Sequence, residues 1–500
     1  MTSAKEQPYQ KLEEKWKRIA ALSDAIAMLS WDRQAIMPSG AGYARAEQIA
    51  TLSVLKHEEV AAPIILDLLE ETDTQDLNSF QSANLSEMRR LHQHAAILSA
   101  KTVDAHSRAC TDCENSWRIA RSDNDFKQVA KPLGLVVSIT QEIAEIKGQA
   151  LRTTPYDALL DEYEPGGSSK KIDTVFNSLE PTLKKLLPEV MEHQNRITFP
   201  SYEESIPVQN QQKLGLQIMK SLGFDFSKGR LDTSVHPFSG GVPDDVRITT
   251  RYNENNWAES LMGVIHETGH ALYEQGLPLN WRGQPVGSAR GMVLHESQSL
   301  LMEMQACRSR EFFTYLAPII SKTYGVNGDN WTAKSLSYNA TRVSPSFIRV
   351  DADELTYPLH VMLRYKLERA LLDDDLRVSD LPTAWNEEFA ASFGIRPSTD
   401  SEGCLQDIHW YDGAIGYFPT YTLGALAAAQ LFAAALKDLP NIMDNITKGD
   451  FSILLGWLRQ KVHRLGSSCP TDEIIAKATG HSLSEDAFIA HLNQRYLSKA

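Results

Sequence analysis

A mainly helical protein with one small β-sheet near its middle is what this 500-residue chain predicts. Three observations carry that reading. Apolar residues recur at steps of three and four through most of the chain, which is the period of a helix with one buried face. Strand patterns are few, the best being "DVRITTRY" at Asp245 to Tyr252, where β-branched residues alternate with polar ones. No linker, repeat or low-complexity tract is long enough to demand independent units. The expectation is therefore one large domain over residues 1–500, with an N-terminal helical wall or lid at about 1–165. Further helices and the small sheet are expected at about 230–425.

The elements follow in order. Leu12, Trp16, Ile19, Leu22, Ile26 and Leu29 share one face of a first helix. Similar periodicity runs through "MRRLHQHAAILSAKTVDAHSRA" and "FKQVAKPLGLVVSITQEIAEIKGQAL". The break "YEPGGSSKK" around Pro165 to Ser169 interrupts it before "IDTVFNSLEPTLKKLLPEVMEHQN" resumes. "FSGGVPD" reads as a turn ahead of the strand. The apolar stretch after Tyr421, "TLGALAAAQLFAAALKDL", is alanine-rich and too short where uninterrupted to cross a bilayer, so it predicts a buried helix.

Composition narrows the function. The chain is 42% hydrophobic and 23% charged with a net charge of −14, which argues against general affinity for nucleic acid or an anionic membrane. Five cysteines at low density fit a reducing compartment. Cys110 and Cys113 form a C-x-x-C with no second pair, so two free thiols are expected. "MTSAKEQPYQKLEEKWKR" has no apolar signal core, and the expected location is the cytoplasm.

The chemistry is concentrated in "VIHETGH", Val264 to His270. Asn256 and Glu259 resemble a capping box, "NWAESLMGVIHETGHALYEQG" contains no proline, and Gly276 and Pro278 supply stop signals. On a helix, His266 and His270 lie one turn apart on one face and can share a metal ion, while Glu267 points about 100° away and flanks it. With 14 histidines in the chain, H-E-x-x-H is expected by chance about 0.03 times. A catalytic zinc takes three protein ligands and keeps a position for water. "GSARGMVLHESQSLLMEMQ" offers His295, Glu296 and Glu303 on a second helix, among which periodicity does not choose, although Glu303 reads more simply as part of a solvated face.

Beyond these, "HPF" at His236 to Phe238, "DVRIT" at Asp245 to Thr249, "IRVDAD" at Ile348 to Asp353 and "GCLQDIHW" at Gly403 to Trp410 stand in a fixed order around "HETGH" and "HESQS". "SWDRQAIMP" and "DEYEPG" add to them. Together these motifs resemble the carboxypeptidase Taq family of metallopeptidases along most of the chain. The resemblance implies a mainly helical fold with a deep active-site groove and the small sheet at its wall, Glu296 as third metal ligand beside His266 and His270, Glu267 as general base, and commonly a homodimer. It implies peptide substrates with a free C-terminus, and zinc as cofactor, with cobalt or manganese able to use similar ligands. The position four residues after Glu296, an aspartate in many related zinc peptidases, is Leu300, so whatever orients the two histidines must lie elsewhere.

His409 in "QDIHW" and Tyr421 in "YFPTY" are the candidates to stabilise the oxyanion of peptide hydrolysis. Recognition of a terminal carboxylate suits arginine, whose planar fork makes two hydrogen bonds. Arg349 is the favoured clamp and Arg247 the other motif arginine, each with an alternative as a structural ion pair to Asp351, Asp353 or Asp245. His236 caps the sheet region or touches substrate, with packing the plainer reading. Gln406 and Asp407 would orient neighbours. "DVRITTRY" could pair an exposed edge with an extended peptide. The rival readings are a zinc endopeptidase or oligopeptidase of related fold, and a non-catalytic binding protein with a closed metal site in which His295 is a fourth ligand.

Overall fold

A computed structural model of the chain describes residues 7–498. Helices dominate. The first, Pro8–Ala35, buries Leu12, Trp16 and Ile19 and half-buries Leu22, Ile26 and Leu29, the face its periodicity predicts. With helices Gly42–Ala61, Pro63–Glu71 and Ser79–Ile97 it closes on a small core of its own, including Tyr9, Ile65, Leu68, Leu85 and Met88. Helices Ala100–Asp123 and Lys127–Leu151 join the main core, which extends to Tyr496 near the C-terminus. The glycine-rich break separates helix Pro155–Tyr163 from Ser169–Gln194.

The sheet has three strands, β1 (Gly229–Thr233), β2 (Phe238–Val242) and β3 (Asp245–Thr250), in the order β1-β3-β2. β1 runs parallel to β3 with Arg230 opposite Arg247, and β2 antiparallel with Gly240 opposite Arg247. Two expectations change here. "FSGGV" is not a turn but β2, whose glycines mask its strand character. β3 is consequently the central strand, so its edges are already paired and cannot take a peptide.

Three helices then build the centre of the molecule. Trp257–Gly276 carries His266, Glu267 and His270; Met292–Leu300 carries His295 and Glu296 and continues as a π-helical segment, Leu301–Ala306, that carries Glu303. The alanine-rich helix Pro419–Asp438 is buried over 78% of its most apolar stretch and belongs to the core. Close approach at two glycines sets their spacing. A Cβ at Gly269 would lie 2.5 Å from the Gln298 carbonyl oxygen, and one at Gly424 would lie 2.7 Å from the Glu296 Cβ. The helix bearing Glu296 is thus clasped between two neighbours that only glycine lets so near. The expected capping box at Asn256 does not form: the Asn256 side chain caps no backbone N–H, and Glu259 pairs with Arg251 instead. All five cysteines are free thiols, and burial pushes both Cys110 and Cys113 up to about 12.

Candidate metal and active site

Of the three candidates for a third ligand, the structure brings Glu296 to His266 and His270. One ligand atom from each lies within 4.8 Å of the others, and His270 Nε2 is 3.4 Å from Glu296 Oε2. Bonds of about 2.1 Å to a tetrahedral ion put neighbouring ligand atoms roughly 3.4 Å apart, so that edge already fits.

His295 and Glu303 do different work. Glu303 Oε2 accepts from His266 Nδ1 at 2.9 Å, and its Oε1 accepts from Arg308 at 2.5 Å. His270 Nδ1 lies 2.7 Å from His295 Nδ1, and His295 Nε2 donates to Glu274 at 2.9 Å. Both ligand rings therefore spend Nδ1 on a neighbouring side chain and turn Nε2 to the metal position, the arrangement that fixes tautomer and ring direction. The reading of Glu303 as part of a solvated face is corrected: it is 8% exposed. Its spacing of seven from Glu296, two helical turns, and its apolar flanks Met302 and Met304 were the signal for it. These two groups take the place of the aspartate expected at Leu300, which is buried among apolar neighbours.

The electrostatics suit a cation. Burial works against a charged His266, yet the Glu303 hydrogen bond and the charges of Glu296 and Glu267 raise it to about 10. Burial alone would raise Glu296, but the hydrogen bond from His270 and the charge of His266 bring it down to about 2. Three carboxylates thus favour positive charge between them. Glu267, 7% exposed and without a hydrogen bond to another side chain, is raised by burial to about 7. That value lets it accept and release a proton near neutrality.

On the far side, Tyr357 donates to Glu296 Oε1 at 3.2 Å, and its ring meets that of Tyr421 edge-on. Tyr421 shares a 3.1 Å hydrogen bond with His409 Nε2. Burial chiefly lowers His409 to about 3, so the ring is neutral, and burial raises Tyr421 to about 12, so it stays a donor. Arg349 lies over the Tyr421 ring at 4.7 Å. Its Nε and Nη2 bond Asp407, at 3.1 and 2.8 Å, and its backbone N–H donates to Gln406. Asp407 also takes Arg364, and the two guanidinium charges hold it well below the usual carboxylate range against the opposing effect of burial. The ion pair of Arg349 is thus with Asp407, neither Asp351 nor Asp353, and leaves Nη1 unused. Tyr357 and Arg308 carried no motif of their own.

The remaining two candidates stand apart. Arg247 is bound by both its Nε and Nη2 to Asp245 and stacks over Trp31 at 4.7 Å, which is the structural ion pair weighed against a clamp. His236 is exposed, so packing does not explain it. Partial desolvation and then the charges of Arg121, Arg251 and Arg118 hold it below its ordinary value.

The model of the carboxypeptidase Taq (M32) metallopeptidases matches residues 11–496. The chain belongs to that family. It is 35% identical to thermostable carboxypeptidase 1 of Thermus thermophilus, covering 98% of both chains, and 34% identical to carboxypeptidase 1 of Bacillus subtilis, covering 96% of both. Among solved structures it resembles Trypanosoma cruzi metallocarboxypeptidase 1, with a TM-score of 0.95 at 39% identity, over 98% of this chain and 99% of that one. This M32 chain is accordingly a peptidase of a metallocarboxypeptidase family, which implies a divalent metal, and His266, His270 and Glu296 are the described residues whose geometry and charge fit one.

Proposed function

We propose that the protein is a zinc carboxypeptidase that releases single C-terminal amino acids from peptides with broad specificity. The observation that carries the reading is one site holding a three-ligand metal cradle, a buried Glu267 beside it, and a Tyr421–His409–Arg349 group opposite. Zinc held by His266, His270 and Glu296 would supply Lewis acidity to the scissile carbonyl and to water at neutral pH; cobalt or manganese suits the same ligands. Glu267 takes a proton from the attacking water and passes it to the leaving amine. Tyr421 donates to the oxyanion that develops, oriented by the neutral ring of His409. Arg349 offers Nη1 to the substrate's terminal carboxylate, pre-oriented by Asp407. His236, exposed beside the sheet, is a further candidate to touch substrate.

A rival endopeptidase would need no such carboxylate clamp. Short peptides with a free end should lose single residues in sequence, and the same peptides amidated at the C-terminus should resist. Retained cleavage of amidated peptides would transfer the case to the endopeptidase. Glu267→Gln should keep its metal and lose about 10²–10⁴-fold in kcat; equal turnover would remove the general base and reopen the non-catalytic reading. A cytoplasmic homodimer completes the proposal, supported by the exposed apolar side chains Tyr43, Val54 and Leu55 on helix Gly42–Ala61. A monomer by light scattering would remove the dimer.

A further inference from the structure

A cavity of about 630 Å³ lies between the first helices, the β2–β3 turn and the segment Arg282–Ser288, and no metal ligand lines it. That is ample for a small organic ligand. Two of its three acidic groups are already engaged. Glu162 pairs with the buried Lys147, and Asp244 takes both Lys228 and Arg282. The third, Asp24, is exposed toward solvent, and burial and then Asp244 raise it.

What remains unclaimed is nearly all donors. The Trp16 indole N–H has no partner although the residue is only 4% exposed. Arg282 uses Nε on Asp244 and leaves Nη1 and Nη2 buried and unbonded. Lys56 forms no ion pair among the described residues, and burial alone lowers its ammonium. The exception is His94 Nδ1, whose ring is held at Nε2 by Asp161. Buried donors without acceptors are costly, and a buried unpaired cation more so. A ligand that relieves all of them must bring several acceptor oxygens and negative charge.

We propose that this cavity binds a small oxyanion, a carboxylate or phosphate group, held by Lys56, Arg282 and Trp16. The group belongs either to a free small molecule or to an acidic side chain of a peptide engaged at the metal site. The metal-loaded full-length enzyme is titrated calorimetrically with inorganic phosphate and with succinate, as wild type, Lys56→Met and Trp16→Phe. In parallel, kcat/KM is compared for peptides carrying glutamate or glutamine upstream of the C-terminal residue.

Binding in the wild type that weakens about tenfold or more in Lys56→Met, and by a smaller factor in Trp16→Phe, identifies a free anion as the source. A glutamate preference that collapses in both variants identifies the substrate. Trp16→Phe keeps an aromatic ring in the core and removes the donor, and a thermal melt of both variants guards against a folding artefact. Phosphate binding unchanged in both variants places the anion at the metal and overturns the proposal, as does a wild type that shows neither binding nor preference. Heats of binding do not require turnover, so this result is separable from the fate of the peptidase reading.

Discussion

The metal half of the molecule and its first hundred residues are held by different means. Around the metal site polar side chains answer one another in chains: His266 by Glu303 and Arg308, His270 by His295 and Glu274, Glu296 by Tyr357, Arg349 by Asp407 and Arg364. Even the π-helical segment is clasped, since Arg495 from the C-terminal helix donates to the carbonyls of Met304 and Gln305 and to Glu354. The first four major helices have instead a small apolar cluster. Helix Gly42–Ala61 buries only Val60. The polar links of these four helices to the rest run mostly from one of them, Ser79–Ile97, through Asn84 to Gln284, Glu87 to Arg290, and Arg90 and His94 to Asp161. The difference teaches that rigidity is concentrated where ligand geometry must be held, and that the N-terminal wall should open at lower free energy.

The largest effect should come from Leu12, which is fully buried in the N-terminal cluster. Leu12→Ala should cost about 2–5 kcal/mol. Hydrogen exchange should accelerate across residues 8–97 while metal affinity and protection around His266 stay unchanged. Equal loss of protection in both halves would break the comparison.

Next comes Tyr421→Phe. If its hydroxyl serves the oxyanion, kcat should fall about 10²–10³-fold with metal content intact. A change in KM alone would move Tyr421 from chemistry to binding. Glu303→Gln should act on the metal rather than on the fold. It keeps an acceptor for His266 but removes the charge facing Arg308, and metal affinity should weaken about 10–100-fold in a chelator competition. Unchanged affinity would show that Glu303 does not orient His266.

Much of this was legible in the chain because it is local. The HETGH helix and its metal face follow from periodicity, and so do the first helix and the buried alanine-rich one. What was not legible depends on how elements meet. Choosing Glu296 over His295 needs the crossing of two helices, set by the close approaches at Gly269 and Gly424. β2 was hidden because its two glycines contribute no strand pattern and its partner is made only on pairing with β3. The capping box failed because Arg251, just past β3, draws Glu259 away. Asp407 was recognisable as an orienting residue, but its two arginines come from segments roughly fifty residues away, which no local pattern reports.

The smallest expected effect tests a buried carboxyl within the metal half. Glu164, at the end of the "DEYEPG" motif, accepts from the Val293 N–H at the start of the helix that carries Glu296, and from the Thr471 hydroxyl. Burial raises it to about 7, against the hydrogen bonds that lower it. A carboxyl raised in the folded state binds its proton there and has released it in the unfolded chain between about pH 4.5 and 7. Its contribution to stability is therefore full below about pH 4.5 and declines as pH rises to 7. In Glu164→Gln the amide oxygen still accepts from Val293 and its NH₂ donates to Thr471, so the fold is kept and the titration removed. The variant should lose about 1–3 kcal/mol less stability than wild type over that window. Chemical unfolding at several pH values, with chelator in both samples, measures the difference. Buried Glu368 is also raised by desolvation to about 7 and retains its own slope in both proteins. Parallel stability curves for variant and wild type would mean that Glu164 is ionised where it holds the start of the Glu296 helix.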